Sequence, residues 1–587
     1  NWDQLNYHYY LPFELLAGRL GQDFFAASAQ SYLNPIGYLP FYLMVSHGWH
    51  SVAVAIVLAA AHSLSVGLLY LVAYTLFAHL PPRDRCMFSC IAAALGAATG
   101  VYWMTVGGSF LDPLLAPPML AGSLLLLDDA RTARRAALAG ALLGAAAALK
   151  YSNAIFALAL LPLAFVQSRR AGFAYVLAGA AAVALFAGPW FALLQREFGN
   201  PVFPLANAWF RSPDALPINL IGERFALSDP VALLAFPFRM ATLDPSVYAE
   251  NFAPDLRFAA LLVAVAALAL KRSAPAPGAF RAADWRVLAF FALALVLWLA
   301  TSANGRYGLV VLLLAGVCLA RVVERTLPAR AARVALAVLL ALQLAATFLA
   351  SPPRWFLAES WSRHWFPYLV PDRALREPAL YLTVEILPMA VIAPFVHPAS
   401  SFVNFRGQHS VPSDSPRLAA LLERHRGHVR VLGRELDEKT ADLNLRRLGY
   451  RVEPSDCFAI PWRPDDGDAI SQAANWLAGE RKSSAPLSMT SCALRPAPRD
   501  PGEVAEEGRI STIFDRVEKA CPKLFRGLSS VTEPFTSGWS RYYAGLDARL
   551  EAYAGRLSLN RYRADVQIDL GLLSDWGRAG HPCPAGS

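Results

Sequence analysis

Residues 52–79 read VAVAIVLAAAHSLSVGLLYLVAYTLFAH, with no lysine, arginine, aspartate or glutamate anywhere in the run. About 20 apolar residues suffice for a helix to cross the hydrocarbon of a bilayer, so this stretch reads as a membrane span. Similar stretches follow at 88–106, 113–127, 135–149, 153–167, 173–194, 256–270, 285–302, 308–322 and 332–350, which makes ten expected spans. Several are short or interrupted, notably by Pro113, Pro117, Pro118 and Gly122. Backbone groups freed there must be satisfied by neighbouring helices, because lipid offers no partner. Composition agrees: 56% of the 587 residues are hydrophobic and 17% charged, against about 25% charged in ordinary soluble domains.

The other bulk properties remove function classes. A net charge of +9 from 53 basic and 44 acidic residues is spread without a dense basic run, so nucleic-acid binding is set aside. Seven cysteines in this length exclude a disulfide-framework protein, and none stands in a zinc-binding spacing. Chemistry must rest on other residues. The chain starts at Asn1 with no charged-then-apolar leader before it, so the numbering is expected to begin inside a longer precursor.

Basic residues in short connections are retained on the cytoplasmic side. Arg83 and Arg85, then Arg131, Arg134 and Arg135, then Arg169 and Arg170, then Lys271, Arg272 and Arg281, then Arg321, Arg325, Arg330 and Arg333 fall on every second connection. The opposite connections, 1–51, 107–112, 150–152, 195–255, 303–307 and everything after 350, then lie outside, in the periplasm of a Gram-negative cell. The expected architecture is a multi-spanning α-helical membrane protein, residues 1–350, followed by a soluble periplasmic α/β domain, 351–587. Within the latter, Val429–Leu432, Glu438–Leu448 and Tyr450–Val452 read as strand, helix and strand. Cys457, Cys492, Cys521 and Cys583 also lie there, and an oxidising compartment allows one or two disulfides whose pairing spacing does not decide.

Ionisable residues at span ends gather on the outer face: Asp3 and His8 in the first connection, Asp112 at the start of a span, Lys150 in Leu149-Lys150-Tyr151, and Arg306 before Tyr307. A charge near hydrocarbon is costly enough to mark a functional position, although any one of these could instead be a snorkelling interface residue. Carboxylates can take a proton from an attacking hydroxyl, while lysine and arginine hold a departing phosphate. The tyrosines and tryptophans of the outer connections, Tyr7, Tyr9, Tyr10, Tyr32, Tyr38, Trp103 and Trp209, suit sugar rings, but membrane-interface placement is the more common reason for them.

Trp2-Asp3 with Tyr7-His8, Gly108 to Asp112 opening a span, Gly144 to Lys150-Tyr151, Gly199-Asn200-Pro201-Val202-Phe203-Pro204, and Gly305-Arg306-Tyr307 occur in this order over residues 1–350. The set resembles the GT-C superfamily of membrane glycosyltransferases, which use polyprenyl-phosphate-linked sugars and include relatives of the protein O-mannosyltransferases and the lipid A aminoarabinose transferase. The resemblance implies an inner-membrane enzyme of inverting mechanism, with its active site on the periplasmic side and one further span upstream of Asn1. Its donor is a polyprenyl-phosphate-linked sugar, and its acceptor is a hydroxyl of a periplasmic glycan, lipid or protein. It assigns Asp3 as catalytic base and Asp112 as the second acidic position. Lys150, Arg306 and Tyr307 fall near the lipid phosphate, with His8 a further binding residue. Asp3 is followed by Gln4 and Leu5 rather than a second aspartate, so a carboxylate-clamped metal lacks support and no cofactor is expected. The soluble tail departs from the better-known members. The competing reading is a transporter or flippase for a lipid-linked saccharide, which calls for charges near the bilayer midplane and repeats relating two halves; neither stands in the sequence.

Overall fold

The structure, a computed structural model, describes residues 1–127, 132–220, 224–225, 227, 230–270, 280–350, 358, 360–406, 411–434, 436, 438–479, 487–525, 531–535, 538–543, 546, 548–561, 566–578 and 580–583. Two compact units emerge. One is Val54–Pro189 with Glu223–Trp355, and the other is Asn1–Ala53, Trp190–Gly222 and Phe356–Ser587. A single cut at residue 350 therefore does not describe the chain.

The first unit is helical. Its principal helices are α1 (Ser51–Leu76, whose first turn belongs to the other unit), α2 (Pro82–Ala97), α3 (Leu111–Leu125), α4 (Ala133–Leu149), α5 (Ala154–Gln167), α6 (Arg169–Phe186), α7 (Arg257–Leu270), α8 (Ala282–Thr301), α9 (Leu309–Thr326) and α10 (Ala329–Ala345). Among the described residues, four segments are long and apolar enough to cross a membrane: Ser51–Leu76, Arg169–Phe186, Ala282–Thr301 and Ala329–Leu349. Shorter apolar helices cover Leu111–Leu125, Tyr151–Gln167 and Arg257–Leu270. The expected span 88–106 breaks at Thr99, where the backbone turns extended before a short helix at Gly100–Thr105. The expected span 173–194 breaks at Ala187, and a separate helix runs over Gly188–Phe198.

Aliphatic side chains stay exposed on these helices, including Ile56, Leu64 and Leu71 on α1, Leu177 and Leu185 on α6, and Val334 and Val338 on α10. Exposed apolar stripes of this extent belong against lipid rather than water. Inside, α9 is buried from Leu309 to Val322. Small residues allow this density. A Cβ on Gly316 of α9 would lie 2.2 Å from the Gly96 backbone nitrogen of α2, and one on Gly140 of α4 would lie 2.1 Å from the Tyr175 carbonyl of α6.

The second unit is built on two sheets. β1 (Leu380–Thr383), β2 (Ser401–Asn404), β3 (Val429–Gly433), β4 (Tyr450–Ile460) and β5 (Met489–Pro496) form a mixed sheet in the order β2-β1-β3-β5-β4. β1 runs parallel to β2 and β3, and β5 runs antiparallel to β3 and β4. The helices α11 (Pro416–Arg424) and α12 (Glu438–Leu445) link successive strands, so the strand-helix-strand reading of 429–452 matches, while α13 (Ala469–Ala478) lies between β4 and β5. Tyr32, Trp190, Leu194, Phe198 and Phe203 share one core with Leu380, Leu382, Val403, Val429 and Val431. That shared core is why 1–53 and 190–222 belong with the sheet.

The second sheet has no counterpart in the sequence reading. β6 (Glu533–Phe535), β7 (Gly538–Tyr543), β8 (Ala548–Tyr553), β9 (Arg556–Arg561) and β10 (Val566–Leu572) form an antiparallel meander covered by α14 (Pro501–Ala520). Ala554 and Gly555, both at positive φ, close the β8–β9 hairpin, the two-residue turn whose twist suits adjacent strands. The cysteines pair as Cys457–Cys492 and Cys521–Cys583.

A buried polar knot ties the N-terminal segment to the edge strand β2. Arg19 pairs with Asp23 through two hydrogen bonds, Nε to Oδ2 at 2.7 Å and Nη2 to Oδ1 at 2.8 Å, and donates to the carbonyls of Pro398 and Ser400. Asp23 Oδ1 accepts the Phe402 amide at 2.9 Å. The Tyr10 hydroxyl lies 2.9 Å from Asp23 Oδ2 and 3.1 Å from Glu14 Oε1. One hydroxyl proton cannot serve two carboxylates, and burial, reinforced by the Asp23 charge, pushes Glu14 well above the usual carboxylate range. Burial thus favours the neutral form of Glu14, in which its carboxyl can donate to Tyr10 while Tyr10 donates to Asp23.

A carboxyl raised in the folded state contributes stability fully below its unfolded value and loses it as pH rises through the folded one. Protection of the Phe402 amide against hydrogen exchange should fall as pH rises above the ordinary carboxylate range. Glu14→Gln should remove much of that fall, leaving the variant better protected than the parent at pH 8. Equal pH dependence in parent and variant would show that Glu14 is ionised.

Candidate functional site

Four of the six residues singled out in the sequence come together in the helical unit. Asp112 occupies the first turn of α3 and Lys150 follows the last residue of α4, the ends at which a negative and a positive charge respectively complement the helix dipole. Lys150 Nζ donates to Asp112 Oδ1 at 2.6 Å. The Asp112 side chain is 1% exposed and the Lys150 side chain 18%. A one-turn helix at Tyr151–Asn153 locks the position, with the Asn153 amide donating to the Lys150 carbonyl at 2.9 Å and Asn153 Nδ2 to the Ala146 carbonyl at 3.2 Å. The second carboxylate oxygen, Asp112 Oδ2, is buried without a hydrogen-bond partner among the described residues.

Lys150 Nζ stands 4.8 Å from the centre of the Tyr307 ring, and the Arg306 guanidinium 5.5 Å from that of Phe110, both within cation–π range. The loop that carries Arg306 and Tyr307 into α9 is rigidly held. Asn304 Oδ1 accepts the Arg306 amide at 3.0 Å, Trp298 Nε1 donates to the Asn304 carbonyl at 2.7 Å, and the Gly305 amide donates to the Tyr248 carbonyl. A Cβ on Gly305 would lie 2.8 Å from the Tyr248 ring, so only glycine permits this approach.

Glu250 completes the group. Its carboxylate takes Arg224, lies 3.7 Å from Arg306 Nη2 and accepts Asn304 Nδ2 at 3.3 Å. Glu250, Arg224 and Asn304 were not foreseen. The first two lie in the long connection between α6 and α7, where proline-rich sequence shows no periodicity and nothing marks two residues 26 apart as partners. Asn304 was visible beside Gly305, but not its role. Among the described residues, no three of His, Cys, Asp and Glu gather so as to hold a metal ion.

Asp3 and His8 belong to the sheet-containing unit. Asp3 immediately precedes a π-helical turn over Gln4–His8. His8 is buried, stacked on Tyr38 with ring centres 4.5 Å apart and met edge-on by Tyr7. Tyr7, Tyr9, Tyr10, Tyr32 and Tyr38 are all buried, so they are packing residues rather than an interface belt, whereas Trp103 and Trp209 are exposed. The proline-framed segment forms a turn in which Asn200 Oδ1 accepts the Val202 amide and Asn200 Nδ2 donates to the Leu205 carbonyl, consistent with a scaffolding role.

Charges are not confined to one end of the helices. Arg321, read as a loop residue, is fully buried within α9 and pairs with Asp284 of α8 at 2.9 Å and with Glu324, which also meets His79 at 3.2 Å. Arg281 caps α8 and donates to the Thr75 and Leu76 carbonyls. Asp255 and Arg257 form another buried pair, and Arg257 donates to the carbonyls of Leu95 and Gly96 at the end of α2. Arg131, Lys271 and Arg272 lie outside the described residues.

Removing one partner of a buried ion pair strands the other, at a cost of about 3–5 kcal/mol. Lys150→Met should destabilise the helical unit by about that amount, and adding Asp112→Asn should recover much of it. A double variant as unstable as the sum of its two singles, measured by thermal unfolding in detergent, would show that the two side chains do not interact.

Comparison with models of protein families, with curated proteins and with solved structures finds no match to this chain.

Proposed function

We propose that the protein is a membrane glycosyltransferase that moves a sugar from a polyprenyl-phosphate-linked donor to a hydroxyl of a periplasmic glycan, lipid or protein. The observation that carries this reading is the convergence of Lys150, Arg306 and Tyr307 with Asp112 at the ends of α3, α4 and α9. A carrier phosphate rests at such helix ends while its chain lies in lipid. The disulfides Cys457–Cys492 and Cys521–Cys583 support an oxidising compartment for the sheet-containing unit, which favours the inner membrane with that unit on the periplasmic side.

In this reading the acceptor oxygen attacks the anomeric carbon and its proton passes to Asp3. The bond from that carbon to the phosphate oxygen breaks, and polyprenyl phosphate leaves with the electron pair. Arg306 meets the leaving phosphate with a planar fork of donors and Lys150 with a point charge. Asp112 Oδ2 accepts a hydrogen bond from the acceptor or from the donor sugar. Tyr307 holds Lys150 over its ring face, and His8 orients the segment that carries Asp3.

The test is incubation of the purified protein with a panel of undecaprenyl-phosphate sugars and candidate acceptors, the product being identified by mass spectrometry. Asp3→Asn keeps shape but cannot take the proton, and transfer should fall about 10²–10⁴-fold with donor binding retained. Near-normal turnover of that variant would move the base to Asp112. Arg306→Ala and Lys150→Arg should weaken binding of free polyprenyl phosphate and lower turnover together. If both variants bind it as tightly as the parent, the two cations are structural.

A further inference from the structure

The helix α13 (Ala469–Ala478) has two faces of opposite character and no charged residue. Asp468 caps it, accepting the amides of Ile470 and Ser471 at 2.9 and 3.0 Å. The inward face is tied down. His50 Nε2 lies 3.0 Å from Asp468 Oδ1 and 3.3 Å from Ser471 Oγ, and Asn475 exchanges two hydrogen bonds with the Trp361 backbone, at 2.6 and 3.0 Å.

The outward face is apolar apart from Gln472 at its edge, which donates to the Gly467 carbonyl. Ile470, Trp476 and Leu477 are 54%, 81% and 77% exposed, with exposed Ala473 between them. Positions 470, 473 and 477 follow the three-and-four spacing of one helix face. Trp49, next to the tethering His50, is 48% exposed.

What covers this face follows from where the tethers lead. His50 immediately precedes α1, the longest and most apolar candidate span. Ser51, the first residue of α1, donates its amide to the Arg363 carbonyl at 3.1 Å and its hydroxyl to the Ser362 carbonyl. Ser362 in turn adjoins the Trp361 that Asn475 holds. The α13 helix is thus fastened, from both of its ends, to the residues at which the charge-free run 52–79 begins. In a bilayer that point is the boundary between headgroups and hydrocarbon. Amphipathic helices that set tryptophan and leucine on one face and polar side chains on the other lie in the plane of the membrane at this boundary.

We propose that α13 is an interfacial helix that rests the sheet-containing unit on the lipid surface, with Ile470, Trp476 and Leu477 in the acyl boundary. The anchor needs a membrane that α1 enters, and holds whether or not sugar is transferred. It fixes the height of the sheet-containing unit above lipid independently of what occupies the site near Lys150.

The test uses the full chain with Cys86 and Cys90, the exposed free cysteines, changed to alanine. Leu477→Cys carries a nitroxide, and the protein sits in nanodiscs of phosphatidylcholine and phosphatidylglycerol. The label should collide with oxygen and resist a water-soluble nickel chelate, reading about 5–10 Å below the phosphates. A label at Glu506→Cys, on α14 with its side chain 43% exposed, should show the reverse. The proposal fails if the label at 477 is as open to the nickel chelate as the one at 506. It also fails if the label is shielded from both reagents and couples to the label of a second copy, since the occupant is then protein. As a second arm, Trp476→Glu with Leu477→Glu should raise the nickel accessibility of a label at Ile470→Cys several-fold; no change would also count against the lipid contact.

Discussion

Burying charge among apolar helices is the constraint on which the helical unit depends. An ion taken out of water loses several kcal/mol of hydration, and only close partners offset the loss. Among the described residues, the buried carboxylates of this unit accordingly occur in groups: Asp112 with Lys150, Asp255 with Arg257, and Asp284 with Arg321 and Glu324. Each group joins consecutive helices or seals a helix end. Arg257 satisfies the terminal carbonyls of α2, and Arg281 those of α1, leaving fewer polar backbone groups against hydrocarbon. Two of the three groups are saturated. The Asp112 group is different, because Oδ2 remains buried and without a hydrogen-bond partner among the described residues, a state uncommon for a buried side-chain acceptor.

What could be read in advance followed the physics that acts locally along the chain. Apolar length marked every long helix of the helical unit, and the 429–452 alternation marked the strand, helix and strand of the mixed sheet. What could not be read depended on pairings across the sequence. Nothing local at Tyr32 or Phe203 distinguishes a residue facing lipid from one packed on Leu380 and Val431; both are aromatic residues in an apolar context. The same ambiguity made the five tyrosines between Tyr7 and Tyr38 look like interface residues. The meander of β6–β10 was missed because its strands are short and carry charges, Arg541, Arg549, Glu551 and Arg556 among them, so the alternation that marks a strand is diluted.

The site divides in the same way. Asp112, Lys150, Arg306 and Tyr307 were legible because a charge at the end of an apolar run is conspicuous, and because Arg306 and Lys150 stand in short connections otherwise almost free of basic residues. Glu250 and Arg224 were not, since an acid in a long polar connection is unremarkable until Arg306 is seen beside it. Arg321 misled for the complementary reason: near a helix end an arginine reads as a loop residue, and only Asp284, 37 positions away, shows that it points inward.

The division into units bears on how any acid in the first connection could act. Asp3 and His8 are held in a segment whose next residues, Tyr10, Glu14, Arg19 and Asp23, are locked to Pro398, Ser400 and Phe402. Phe24 and Phe25 then enter the core built on β1, β2 and β3. A chain ending near residue 350 would leave that core without its sheet and the Arg19–Asp23 pair without half of its hydrogen bonds. The sheet-containing part is therefore no appendage to a self-sufficient membrane domain. It is the frame on which the first connection is built, and the segment that carries Asp3 is tied down through Asp23 by a residue 379 places further along the chain.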